Sequence, residues 1–184
     1  MNPLSVIEKH YEKGSPLYTV LVAHSRDVAR KSLEIAATLT HLNPDTDFIE
    51  KAAMLHDIGI VKTRAPAIGC EGSSPYICHG FLGREILDNE GLPERYGLVA
   101  ERHTGAGITL ENIKEAGLPL PLRDMVPVTL EEKIICCADK YFSKSPENNR
   151  DKPMTRDRII KELHHINPGH AVRFRAWAEA FSLE

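Results

Sequence analysis

AAMLHDIGI, residues 52–60, places a histidine and an aspartate side by side, His56 and Asp57, at the end of an apolar run. The stretch predicts a helix over 47–58, with Gly59 as the left-handed residue that closes it. Just upstream, HLNPDTD (41–47) breaks the chain: Pro44 is the stop, and Asp45 or Thr46 is the next cap. Before the break, Leu17, Leu21, Val28, Ile35 and Leu39 fall at mostly helical spacings and predict a long helix over 16–39.

Downstream, TRAPAIGCEGSSPYI (63–77) is rich in proline, glycine and serine and reads as a loop. Helices are expected over 78–89, ended by Gly91 and Pro93, and over 94–104, ended by Gly105 and Gly107. A short one follows at 110–117. LPLPLRDMVP (118–127) is extended, because its prolines disfavour helix. TLEEKIICCADKYFS (129–143) is a strong helix in which Thr129 and Glu132 match a capping box. KSPENNRDKP (144–153) reads as a polar linker before two last helices, 155–166 and 169–181. Strand signals are scarce. The fold expected is an all-α bundle, a single domain over 1–184 with its core at about 16–145 and the C-terminal helices (155–183) packed back on it.

With 184 residues, 42% apolar and 27% charged, the chain can bury a core without disulfides. A net charge of −3 argues against a broad footprint for extended nucleic acid but leaves room for a local cationic pocket. No apolar run approaches the ~20 residues that span a bilayer. The first residues, MNPLSVIEKHYEKGS, interrupt their apolar positions with charge, unlike a secretory signal. A cytoplasmic protein with no membrane partner is expected. Cys70, Cys78, Cys136 and Cys137 form no CxxC pair and read as reduced thiols.

Working outward from His56 and Asp57, four more residues of the same chemistry stand at other helices or turns. They are His24 in VAHSRDVAR, His79 in ICHGFLGREIL, His103 in AERHTGAGI and Asp139 in IICCADKYF. Facing helices of a bundle can bring such side chains to one point. Imidazole and carboxylate together suit divalent transition ions such as Fe, Mn, Ni, Co or Zn, one or two of them. Two ions need a bridge, and Asp57, with two oxygens, is the candidate. His24, His56 and Asp139 would complete one site, His79 and His103 the other. A water between two ions would become a hydroxide nucleophile near neutral pH. His79, opening a helix beside a loop, is the weakest member of the set.

The adjacent His-Asp running on as HDIG resembles the HD superfamily of metal-dependent phosphohydrolases, and His24 and Asp139 match its wider H…HD…D pattern. His79 and His103 resemble the two-metal branch, which includes cyclic-dinucleotide phosphodiesterases and symmetrical diadenosine-tetraphosphate hydrolases. LEEKIICCADK (130–140) looks especially like the last ligand helix of the latter. The resemblance covers roughly residues 16–145 and implies an all-α HD-domain bundle that cleaves a phosphate ester or anhydride. There are two departures. Many relatives follow HDIG with lysine, where this chain has Ile60, and the GYP motif of the cyclic-dinucleotide enzymes is missing.

Asp57 and Lys62 are the catalytic candidates. Lys62 follows the His-Asp turn and Lys140 follows Asp139, so these two are the candidates for a substrate phosphate. Arg26, Arg64, Arg84 and Arg102 read better as solvated helix faces. Cys78, Cys136 and Cys137 read as small packing residues, and His164, His165 and His170 as surface or packing residues. The partner expected is a small phosphorylated molecule, a nucleotide, with a homodimer left open. Two competing functions share the scaffold: a di-iron oxygenase and a non-catalytic nucleotide-sensing module.

Overall fold

Proline and a polar cap start the first long helix. The computed structural model describes residues 1–144 and 153–183, beginning with a short helix α1 (Pro3–Ile7) and then α2 (Pro16–Thr38). Ser15 Oγ accepts the Tyr18 amide at 3.1 Å, and Pro16 occupies the first turn, where an amide hydrogen would have no helical acceptor. Asn43, left-handed at φ 51°, turns the chain. Asp45 then caps α3 (Thr46–Leu55), its Oδ1 accepting the Phe48 amide at 3.0 Å.

Helix α3 stops at Leu55, short of the expected end, and a 3-10 turn runs from Ile58 to Lys62. His56 and Asp57 form the junction. Gly59 is not the left-handed cap expected of it; its φ is not positive. A Cβ there would drive into the His79 carbonyl oxygen and the Gly83 amide nitrogen. Glycine is needed because helix α4 (His79–Asn89) presses its backbone onto this turn. The same contact brings His79 beside His56 and Asp57.

The expected loop at 63–77 carries a small sheet: β1 (Thr63–Ala65), β2 (Cys70–Glu71) and β3 (Ser74–Pro75), in the order β2-β1-β3. β1 pairs with β2 antiparallel, Arg64 opposite Glu71, and with β3 parallel, Thr63 opposite Ser74. Strands this short carry no alternation that a sequence reading could catch.

Helices α5 (Glu94–Arg102) and α6 (Leu110–Ala116) follow. The extended 118–127 stretch is tied back by the Met125 amide, which donates to the Ile108 carbonyl at 2.8 Å. Helix α7 (Leu130–Asp139) has half of the expected capping box. Thr129 Oγ1 accepts the Glu132 amide at 3.2 Å, but the Glu132 carboxylate takes the Val128 amide instead of that of Thr129. The last two helices are α8 (Arg156–Ile166) and α9 (Pro168–Ala180). Most of the expected linker, 145–152, lies outside the described residues.

One buried cluster joins Leu21 and Ile35 of α2, Ile49 and Leu55 of α3, Ile134 of α7 and Phe174 of α9. Each such fully buried side chain contributes about 1.5–3 kcal/mol. A smaller cluster gathers Cys78, Leu82, Ile108, Ile113 and Met125 under α6. Among the described residues, no helix is long and apolar enough to cross a membrane.

Candidate metal centre

The bundle interior receives His24 from α2, His56 and Asp57 from the end of α3, His79 from the start of α4, His103 from just past α5 and Asp139 from the last turn of α7. All are buried, His56 and Asp57 completely. Their nitrogens and oxygens fall into two groups that share Asp57: His24, His56, Asp57 and Asp139, and Asp57, His79 and His103, with the ligand atoms of each group within 4.8 Å of one another.

In the first group, His24 Nε2 lies 2.9 Å from Asp139 Oδ1 and 3.3 Å from Asp57 Oδ2. His56 Nε2 lies 3.1 Å from Asp57 Oδ2 and 3.4 Å from Asp139 Oδ1. In the second, His103 and His79 Nε2 lie 3.3 and 3.6 Å from Asp57 Oδ1. The two oxygens of one carboxylate therefore face different groups.

Backbone carbonyls set the rings. His56 Nδ1 donates to Ala53 at 2.6 Å, His79 Nδ1 to Tyr76 at 2.7 Å and His103 Nδ1 to Ala100 at 2.8 Å. Each carbonyl lies three residues back, where the preceding turn exposes it. With Nδ1 carrying the proton, Nε2 presents a lone pair inward. His79 and His103 then face each other Nε2 to Nε2 at 3.1 Å. Burial lowers the pKa of both, His79 to about 3 with the neighbouring His103 adding to the effect, so both rings are neutral at pH 7. Two lone pairs this close repel unless a cation lies against them. His56 Nε2 and Asp57 Oδ1 are likewise buried without a hydrogen-bond partner. Such a donor set fits divalent transition ions.

The charge balance favours a cation as well. Burial opposes charge on His56, but Asp57 and Asp139 outweigh it and raise its pKa to about 9, so at pH 7 without metal a proton occupies the Nε2 lone pair that an ion would take. Burial also works against ionised Asp57 and Asp139. His56 and Lys144 beside the first, and Lys140 and Lys144 beside the second, hold both carboxyls well below the usual range.

The lysines sort differently from the sequence reading. Lys62 is exposed, and among the described residues the lysines that pair with Asp139 and Asp57 are Lys140 and Lys144. Lys140 Nζ lies 2.6 Å from Asp139 Oδ2, the oxygen that faces away from the imidazoles. Lys144, read as the first residue of a linker, reaches Asp57 Oδ2 at 2.7 Å. Nothing in a polar, proline-bearing stretch marks that lysine in advance.

The arginines point elsewhere. Arg84 pairs with Glu101 at 2.7 Å and Arg102 with Glu132 at 3.0 Å, Arg26 lines a separate cleft with Arg30 and Glu50, and Arg64 is exposed. Cys78 turns toward the Pro119 carbonyl, and Cys136 toward that of His103. His164 and His165 are exposed, whereas His170 is buried against Gly105. Beside Asp139 opens a cleft of about 240 Å³. Lys140 and Lys144 line it together with the apolar Phe142, Met154, Leu163 and Ile166.

The family model described as HD domain matches residues 21–143, and the chain belongs to that family. An uncharacterized protein of Methanocaldococcus jannaschii is 38% identical over 124 residues, 66% of each chain. A tRNA (cytidine(56)-2'-O)-methyltransferase of Picrophilus torridus is 35% identical over 67% of this chain and 32% of its own length. The enzyme of the same name from Thermoplasma volcanium is 32% identical over 72% of this chain and 34% of its own. The match thus spans about a third of each methyltransferase. Among solved structures, the HD domain of L. monocytogenes phosphodiesterase PgpH superimposes with a TM-score of 0.54 at 17% identity, covering 95% of both chains. Its complex with cyclic-di-AMP gives the same TM-score over 98% of this chain and 95% of the other. At that identity the likeness is one of fold.

Proposed function

We propose that this chain is a metal-dependent phosphohydrolase that cleaves a phosphate ester or anhydride of a nucleotide. The observation that carries the reading is the meeting of two ligand groups on the two oxygens of Asp57. In this reading His24, His56, Asp57 and Asp139 hold one divalent ion, and Asp57, His79 and His103 hold a second; Fe, Mn, Ni, Co and Zn all suit these donors. Ions bound there would supply a nucleophile from water near neutral pH and draw charge from the phosphate oxygens.

The chain's own groups do the positioning. The carbonyls of Ala53, Tyr76 and Ala100 keep three imidazoles turned inward. Lys140 steadies Asp139 through its outer oxygen and also lines the cleft, where it would meet a substrate phosphate. A cleft beside Asp139 that is lined by both cationic and apolar side chains suits a nucleotide, whose phosphate is charged and whose base is flat and apolar-faced. The likeness of residues 130–140 to symmetrical diadenosine-tetraphosphate hydrolases puts dinucleoside polyphosphates on the list of substrates to try.

The test is a panel of nucleoside phosphates, dinucleoside polyphosphates and cyclic nucleotides with protein loaded with Mn, Fe, Ni or Co. Wild type should release phosphate or a nucleotide from at least one member, and Asp57→Ala should not. Equal activity of the two would mean that the hydrolysis arises outside this centre.

A further inference from the structure

Lys144 stands five residues beyond Asp139, its side chain 14% exposed. Its Nζ lies 2.7 Å from Asp57 Oδ2 and 3.8 Å from Asp139 Oδ1. These are the two oxygens that face His24 Nε2 and His56 Nε2. The ammonium therefore draws on the same carboxylate oxygens that the first ion would use. A divalent ion and an ammonium cannot both keep them, because like charges a few ångströms apart in a water-poor site repel strongly.

The surroundings give the ammonium somewhere to go. Three clefts meet at Lys144: one against Asp139 and Lys140, one against His24 and Asp27, and one against Ala65 and Tyr76. Lys144 and Ser143 are common to all three. A flexible four-carbon stem lets the ammonium leave Asp57 toward these clefts. No other lysine is so placed among the described residues. Lys62 is exposed, position 60 is a buried isoleucine, and Lys140 is turned to the outer oxygen of Asp139.

We infer that Lys144 is a phosphate-binding lysine of this centre alongside Lys140, holding Asp57 and Asp139 as an internal cation until the first ion displaces it and then pairing with the substrate's phosphoryl oxygens. The inference rests on the metal-dependent reading above and adds a residue to it. It makes Lys144 a competitor of the metal and a partner of the anion, two opposite effects of one side chain that a merely structural lysine would not have.

Calorimetric titration tests both. Mn²⁺ is titrated into metal-free wild type, Lys144→Met and Lys144→Arg, and inorganic phosphate is then titrated into each Mn-loaded protein. Lys144→Met should bind its tighter Mn²⁺ about tenfold more strongly and phosphate about tenfold more weakly than wild type. Lys144→Arg should keep phosphate affinity within about threefold, since the charge remains. If Lys144→Met does not fold, Lys144→Gln carries the same expectations. Unchanged phosphate affinity, or Mn²⁺ binding no tighter than wild type, overturns the inference while leaving the hydrolase reading standing. Wild type that takes up none of Mn²⁺, Fe²⁺, Ni²⁺, Co²⁺ and Zn²⁺ overturns the metal reading and this inference together.

Discussion

His79 Nε2 and His103 Nε2 stand 3.1 Å apart, each ring fixed by an Nδ1 bond to a carbonyl three residues earlier. Neither ring can turn away without breaking that bond, so under the two-metal reading the pair would take a cation against its two lone pairs. Two transition ions per chain are therefore expected in protein purified with metal. His79→Asn and His103→Asn should each reduce the count to one, while His56→Asn should remove the other ion. Elemental analysis per chain checks this. A single ion in wild type that survives both substitutions would leave His79 and His103 without a metal role.

Gly59 supports the same geometry from behind. A methyl group there meets the His79 carbonyl and the Gly83 amide, both backbone, so no side chain can yield. Gly59→Ala should push α4 off the His-Asp turn and cost about 2–3 kcal/mol of stability, in the range of overpacked cores. Because His79 rides on the displaced turn, the second ion should weaken too. Urea unfolding followed by Mn²⁺ titration measures both. A variant within about 0.5 kcal/mol of wild type, a typical neutral surface change, would mean that the contact relaxes freely.

How much of this was legible in the sequence depended on how far each feature announces itself locally. The convergence of the six candidates was, because histidines and aspartates spread over successive helices and turns are unusual for a core and their order follows a known pattern. Helices α2, α3 and α7 were also legible through apolar spacing and caps. Gly59 was misread: a glycine after a helix suggests a left-handed cap, and its true reason, the backbone of α4, lies 20 residues downstream. The sheet at 63–75 was hidden by strands of two or three residues. Lys62 and Lys140 were the candidates and Lys144 was not considered, because closeness in sequence to the ligands stood in for closeness in space. The 3-10 turn sends Lys62 outward, while the chain leaving α7 doubles back and returns Lys144 to Asp57.

Helix α9 grips the turn that carries His103. Arg173 donates through Nε to the Ala106 carbonyl at 2.7 Å and through its guanidinium to the Gly107 carbonyl at 2.5 Å. Arg173→Ala should cost about 1.5–3 kcal/mol, as for hydrogen bonds to a charged group. It should also weaken the second ion about tenfold, as loss of an outer support does. The first ion, held by α2, α3 and α7, should be unaffected. Sequential Mn²⁺ titration separates the two, and equal loss at both sites would point to general unfolding instead.

His170 lies beneath that turn, its ring against Gly105, and burial, with the Arg173 and Lys140 charges adding to it, pushes its pKa down to about 4. An unfolded histidine titrates near 6.5. Between these values the unfolded chain binds the extra proton, so stability rises with pH across the window and is lost as pH falls from about 6.5 toward 4. The contribution of this one ring is on the order of 3 kcal/mol at the acid end. His170→Leu removes the titration and a buried Nδ1 that has no hydrogen-bond partner. In chelator, urea unfolding from pH 7 to 4 should therefore show the variant gaining on wild type as pH falls, since acid continues to charge His170 only in the latter. Parallel stability curves over that range would mean that His170 keeps an ordinary pKa and that the α9 contact with the His103 turn is indifferent to acid.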